Sequence, residues 1–132
     1  VTTLPRTVVI ARHLLQQYGF SGHCAAIRTI DLPVLALEQD SPLPGEKIRQ
    51  QCIEAMKYDN SGAIVLGCGG MAGLASELTR ELGIPVIDGV TAAVKILESL
   101  LSLGLTTSKH GDLAYPVPKP VTGIFSQLNP AG

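Results

Sequence analysis

The chain has 132 residues, a length that corresponds to one domain or to one lobe of a larger protein. Hydrophobic residues make up 45% and charged residues 16%, which is apolar enough to fill a core and excludes a disordered chain. A net charge of −1 without a basic stripe argues against a nucleic-acid partner. The sequence has no apolar run of the roughly 18 residues that a membrane helix needs and no signal segment, so we expect a cytoplasmic protein.

The first residues indicate a strand, a loop and a helix. Residues 1–3 are typical of the end of a strand whose beginning is absent, so the chain is predicted to be a fragment. Apolar spacing predicts a helix over 7–18 that Gly19 ends. Small and β-branched residues over 24–30 favour a short strand near the edge of a sheet.

The middle of the chain is predicted to contain a loop, a helix, a strand and a second helix. The prolines and glycine of 41–45 predict a loop, and an apolar stripe that includes Cys52 predicts a helix after it. The continuous apolar run 63–66 predicts a strand that is buried on both faces. After 67–70, helical spacing begins at Met71 and continues to a stop at Gly83.

Another strand and helix follow, and then a tail. Residues 84–87 predict a short buried strand, and Asp88 is placed to cap a helix that ends at Gly104. The inner face of this helix is expected to be Val90, Ala93, Val94, Leu97, Leu100 and Leu101. A domain over 1–109 and a proline-rich tail over 110–132 are therefore predicted.

Alternating strands and helices indicate an α/β fold with a mostly parallel sheet flanked by helices. Ligands of such folds bind beyond the carboxyl ends of the strands. Two of these ends carry polar or glycine-rich sequence, namely Thr2 and Thr3 after the first strand and the run from Gly67 to Gly70 after the central one.

Cys68 is the candidate catalytic residue because it lies between a buried strand and a helix. Backbone N–H groups and the helix dipole at such a place favour a thiolate. Gly69 and Gly70 leave the backbone donors open to a flat or carboxylate-bearing substrate. A cysteine can equally be a small core residue. We interpret Cys24 and Cys52 in that structural way, since Cys24 begins a strand and Cys52 shares a stripe with core residues.

A dinucleotide-binding site is the alternative. Gly67, Gly69 and Ala72 satisfy G-x-G-x-x-G/A after a strand, and Asp88 ends the next strand, where such folds place the acid that binds ribose. Two strand–helix units precede this motif, although it normally lies in the first, and Asp88 also has an explanation as a helix cap. The alternative therefore stays open.

No metal site is expected. His13, His23 and His110 are interpreted as surface residues, and no two of them have the spacing of metal ligands. The chain also lacks the G-x-S-x-G motif of serine hydrolases and the Walker loop of P-loop nucleotidases.

Five segments together resemble the hydantoin racemase family, which includes allantoin racemases, within the aspartate/glutamate racemase superfamily. The segments are VTTLPR at 1–6, DLPVL at 31–35, AIVLGCGGM at 63–71, IPVIDGV at 84–90 and LGLTTSK at 103–109. Family members have two similar α/β lobes that face each other across the active site. The resemblance places this chain in the second lobe, with its first strand incomplete.

The resemblance implies racemisation without a cofactor, by two thiols on opposite faces of ring carbon 5 of a hydantoin. Cys68 matches the cysteine of the second lobe, whose partner would lie before Val1. Thr2, Thr3, Gly67, Gly69 and Gly70 would bind this small-molecule substrate. Amino-acid racemases usually carry Thr and His after this cysteine, whereas Gly69 and Gly70 stand here, which favours the hydantoin branch. Members are usually homo-oligomers. A catalytically silent lobe with a role in assembly or regulation is a third hypothesis.

Overall fold

The protein is described by a computed structural model over residues 1–38 and 41–128. The chain divides into two compact units, Val1–Glu98 and Ser99–Gly132, and the boundary between them falls within the last α-helix. The helices and strands are α1 (Thr7–Gln17), α2 (Leu43–Asp59), β1 (Ile64–Leu66), α3 (Ala75–Leu82), β2 (Val86–Asp88) and α4 (Gly89–Ser102). None of the described helices is long and apolar enough to cross a membrane.

A parallel sheet lies at the centre of the first unit. β1 pairs with β2 in the register Ile64↔Val86. On the other side of β1, the Val1 ammonium group donates to the carbonyl oxygen of Val65 at 2.8 Å, and the Gly67 N–H donates to the carbonyl of Val1 at 2.8 Å. These hydrogen bonds place residues 1–2 beside β1, and the α/β fold is confirmed. The prediction that residues 1–3 end a strand stays a prediction.

The predicted strand over 24–30 is reduced to a single parallel bridge between Thr2 and Thr29. The Thr2 N–H donates to the Arg28 carbonyl at 2.8 Å, and the Ile30 N–H donates to the Thr2 carbonyl at 3.1 Å. Within 24–30, Thr29 alone takes part in a bridge. The expected strand is therefore too long.

The core of the first unit lies on the face of the sheet that α2 and α3 cover. Ile48 and Cys52 of α2 are fully buried, and Met71 and Leu78 pack with them against β1. The apolar stripe of the second helix is thereby confirmed. The loop predicted over 41–45 is wrong from Leu43 onward, because Pro44 lies in the first turn of α2, where a missing N–H costs no helical hydrogen bond.

The opposite face of the sheet is exposed. Val65 of β1 is 60% exposed, and Ile87, its partner in β2, also faces outward. The prediction that the 63–66 strand is buried on both faces is therefore wrong. The predicted inner face of α4 is wrong as well, since none of its six residues from Val90 to Leu101 is buried. A sequence pattern shows which side of an element is apolar, but it does not show whether another element covers that side.

The helix expected from Met71 has two parts. A 3₁₀ helix spans Gly69–Leu74, and α3 follows and ends at Gly83, whose φ of +70° is the left-handed conformation of a helix stop. Glycine at the first two positions and the tighter 3₁₀ geometry delay the α-helix by one turn.

The second unit contains the end of α4 and the tail. Gly104, with φ of +71°, ends the helix, and the Leu105 N–H donates to the Leu100 carbonyl at 3.0 Å. Short 3₁₀ helices span Gly111–Leu113 and Gly123–Leu128. Every described residue of the tail except Val121 is exposed. The division at 109/110 stays a prediction, and Pro130 of the tail lies outside the described residues.

Candidate active site

Cys68 lies at the carboxyl end of β1, two residues beyond the last sheet residue. Its backbone is extended, with φ of −145° and ψ of 131°, and its carbonyl accepts a hydrogen bond from the Met71 N–H at 3.0 Å. The side chain packs against the edge of the core but is only half-buried. The thiol is therefore not enclosed in aliphatic packing, in contrast to that of Cys52.

Two backbone donors follow the thiol. Gly69 and Gly70 are exposed, and within the described ranges 1–38 and 41–128 neither amide N–H has a hydrogen-bond acceptor. Both residues form the first turn of a 3₁₀ helix, whose initial N–H groups have no partner within the helix. The arrangement thus provides a sulfur and two unpaired amide donors in consecutive residues.

Gly67 brings Thr2 close to this turn. A methyl group built on Gly67 would lie 3.3 Å from Thr2 Cβ and 3.4 Å from the carbonyl oxygen of Val1. This close approach favours glycine here, because a side chain would crowd the Cβ of Thr2.

Thr2 and Thr3 are both buried at this edge of the sheet. The Thr2 Oγ1 lies 3.0 Å from the Thr7 Oγ1, and the Thr7 hydroxyl donates to the Leu4 carbonyl at 2.6 Å. The Thr3 carbonyl accepts from the Leu32 N–H at 3.3 Å. Of the predicted substrate-binding residues, the structure brings Thr2 and Gly67 together. The Thr2 hydroxyl already has a partner in Thr7.

Leu37 and Val90 border the glycine turn, and the sequence reasoning did not identify either as part of the site. A methyl group on Gly70 would lie 3.1 Å from Leu37 Cδ1 and 3.8 Å from Cys68 Sγ. A methyl group on Gly69 would lie 3.6 Å from Val90 Cγ2. Both contacts join residues that are distant in sequence, so periodicity and motifs give no signal for them.

Asp88 is a helix cap, as one of its two interpretations predicted. Its Oδ1 accepts the Thr91 N–H at 2.7 Å, and this hydrogen bond lowers the pKa of the carboxyl group. The carboxylate is buried and engaged with the first turn of α4. A dinucleotide site that uses Asp88 to bind ribose is therefore not favoured.

The remaining cysteines and histidines do not contribute to the site. Cys52 is fully buried, and this burial raises the pKa of its thiol. The Cys24 thiol donates to the Ala26 carbonyl at 3.4 Å. His13, His23 and His110 are exposed, as predicted. Among the residues that the structure describes, no group of three His, Cys, Asp or Glu side chains could hold a metal ion.

Cys68 lines neither of two cavities in the described part of the first unit. One, of about 530 Å³, is lined by residues 23–28 and 60–65, and Thr2 and Gly67 line it as well. The other, of about 590 Å³, lies beside Leu37 and Gly70, at the beginning of α2.

Comparisons with known proteins identify the family. A family model described as Asp/Glu/Hydantoin racemase matches residues 1–97. The chain belongs to this family. It is 51% identical over 124 residues to the hydantoin racemase of Rhizobium meliloti, which covers 93% of this chain and 51% of that protein. The hydantoin racemase of Pseudomonas sp. (strain NS671) is 43% identical over 128 residues, 97% of this chain and 51% of that protein.

Solved structures of racemases in this family have the same fold as the chain. The allantoin racemase from Klebsiella pneumoniae superimposes with a TM-score of 0.84 at 68% identity, over 98% of this chain and 53% of that one. The allantoin racemase from Pseudomonas fluorescens gives a TM-score of 0.76 at 47% identity, over 92% of this chain and 52% of that one. The chain therefore spans about half the length of the racemases that it matches.

Proposed function

We propose that the complete protein that contains this chain racemises 5-substituted hydantoins, such as allantoin, and that Cys68 is one of its two acid/base thiols. Membership of the racemase family supports the activity. The observation that carries the role of Cys68 is its position: a half-buried thiol at the carboxyl end of the central strand, followed by two amide donors without acceptors in the described residues.

The reaction needs a base on one face of ring carbon 5 and an acid on the other. In one direction, Cys68 as a thiolate takes the proton from carbon 5, and the electron pair of the C–H bond moves into the adjacent ring carbonyl. A second thiol then returns a proton to the opposite face, and its sulfur becomes the thiolate. In the reverse direction the two thiols exchange roles. The charges and protons balance without any other reactant.

The Gly69 and Gly70 amides would hold the ring oxygen that becomes negative. Backbone donors aimed at such an oxygen stabilise the transition state, and one good donor contributes roughly 3–4 kcal/mol. Glycine suits both positions because a side chain on either would project toward Leu37 or Val90, near the thiol. Thr2 and Thr3 are proposed as neighbours of the substrate at the adjacent strand end, where their burial fixes the backbone.

The test follows the optical rotation of single-enantiomer 5-methylhydantoin with the complete protein. Cys68→Ser and Cys68→Ala should each lower kcat by about 10²- to 10⁴-fold, the usual contribution of an acid/base group. Cys24→Ser is the matched control and should racemise at the rate of the unaltered protein. Unchanged kcat in both Cys68 variants would falsify the assignment. It stays a prediction that the protein forms homo-oligomers, needs no cofactor, binds no nucleic acid and is cytoplasmic.

A further inference from the structure

Val90 stands beside the candidate catalytic turn. Its Cγ2 lies 3.6 Å from the point that a methyl group on Gly69 would occupy, and Gly69 directly follows Cys68. The side chain is 52% exposed, so it is not part of the core. An apolar side chain that faces the solvent at the mouth of a site is available to contact a bound molecule.

The position of Val90 is fixed by its helix. It is the second residue of α4, and the Asp88 carboxylate caps the same turn by accepting the Thr91 N–H at 2.7 Å. A valine in a helix has one strongly preferred χ1 rotamer because its Cβ is branched. Val90 therefore presents a stiff apolar group beside Gly69, the residue that follows the thiol.

A second apolar residue, Leu37, lies beside Gly70. Leu37 Cδ1 and Cys68 Sγ both lie within 4 Å of the point that a methyl group on Gly70 would occupy. Leu37 is half-buried and packs against the core. Apolar side chains thus border both glycines that follow Cys68, and these glycines carry the two amide donors.

We infer that Val90 limits the size of the 5-substituent that the enzyme accepts, so that hydantoins with small substituents are favoured over those with bulky ones. This inference rests on the proposed function and specifies the substrates of the same site. It requires only that the substituent lies toward α4 when carbon 5 is at the thiol.

Two substrates that differ in size provide the test. In the complete protein, the ratio of kcat/KM for 5-benzylhydantoin to kcat/KM for 5-methylhydantoin is measured with single enantiomers. Val90→Ala should raise this ratio about tenfold, mainly through a lower KM for the benzyl compound, since a few carbon atoms in an apolar pocket change discrimination by that order. Val94→Ala is the matched control, because Val94 lies one turn later in α4 and is similarly exposed at 48%. It should leave the ratio unchanged.

The outcomes separate this inference from the proposed function. An unchanged ratio in Val90→Ala overturns the inference while racemisation itself persists, and so does an equal rise in Val94→Ala. A parallel fall of kcat/KM for both substrates in Val90→Ala would indicate a merely structural effect and also overturns it. If the unaltered protein racemises neither hydantoin, the proposed function fails first and the inference fails with it.

Discussion

Gly70→Ala tests whether the candidate site is packed as the structure describes. The new methyl group would lie 3.1 Å from Leu37 Cδ1, closer than an ordinary van der Waals contact, and 3.8 Å from Cys68 Sγ. Because Cδ1 is the end of a flexible side chain, Leu37 should give way by a few tenths of an ångström rather than force the backbone apart. Gly73→Ala is the matched control, since a methyl group there would meet no atom within 4 Å.

The two substitutions should differ in their effect on stability. Alanine in place of glycine gains about 0.4–1 kcal/mol by restricting the unfolded chain. A side chain displaced from its rotamer costs about 0.5–1.5 kcal/mol. Gly73→Ala should therefore raise the free energy of unfolding, whereas Gly70→Ala should change it by between about −1 and +0.5 kcal/mol.

Urea denaturation followed by circular dichroism measures both free energies, and the rate of alkylation of Cys68 by iodoacetamide reports the crowding of its sulfur. We expect slower alkylation in Gly70→Ala and an unchanged rate in Gly73→Ala. Equal stability and equal alkylation rates in the two variants would refute the packing of Leu37 against this turn.

Three further predictions concern the first unit. Cys52 should resist iodoacetamide until denaturant is added, because it is fully buried and its thiol pKa is raised; modification at the rate of the other two cysteines in the folded chain would contradict this. The Arg28 guanidinium lowers the pKa of Asp59, so this pair should stabilise the fold above about pH 4 and lose its effect as the pH falls through the lower folded-state pKa. The free energy of unfolding of the Asp59→Asn variant should therefore change less with pH in acid. The same pH dependence in the variant and the unaltered chain would show that the pair does not stabilise the fold. Ile48→Ala should lower the free energy of unfolding by about 2–5 kcal/mol, whereas the partly exposed Ile53→Ala should cost far less; similar losses in a urea titration would contradict the described core.

Local features of the fold were predictable where a single residue or the helical spacing of apolar residues determines them. The stripe with Ile48 and Cys52 identified the buried side of α2, and Gly83 marked the end of α3. Asp88 capped its helix as its position after a strand indicated. These features depend on neighbours within one or two turns, so the sequence contains the information.

Features that depend on distant parts of the chain were not predictable. Val65 has the same apolar character as its neighbours in β1, yet it is exposed, because burial requires an element on that face of the sheet. The site shows the same division. The apolar strand before Cys68 and the glycines after it predicted that this residue lies at the end of a strand. The approach of Leu37 and Val90 to that turn follows from tertiary packing alone.

Exchange of hydrogen with the solvent tests the role of Cys68 most directly. Single-enantiomer 5-methylhydantoin is incubated with the complete protein in deuterium oxide, and each enantiomer is analysed by mass spectrometry before one tenth has been converted. Two thiols on opposite faces predict deuterium at carbon 5 of the newly formed enantiomer and protium in the remaining one, with racemisation lost in Cys68→Ser. A newly formed enantiomer that retains protium, or an unchanged rate of racemisation in Cys68→Ser, would contradict the account.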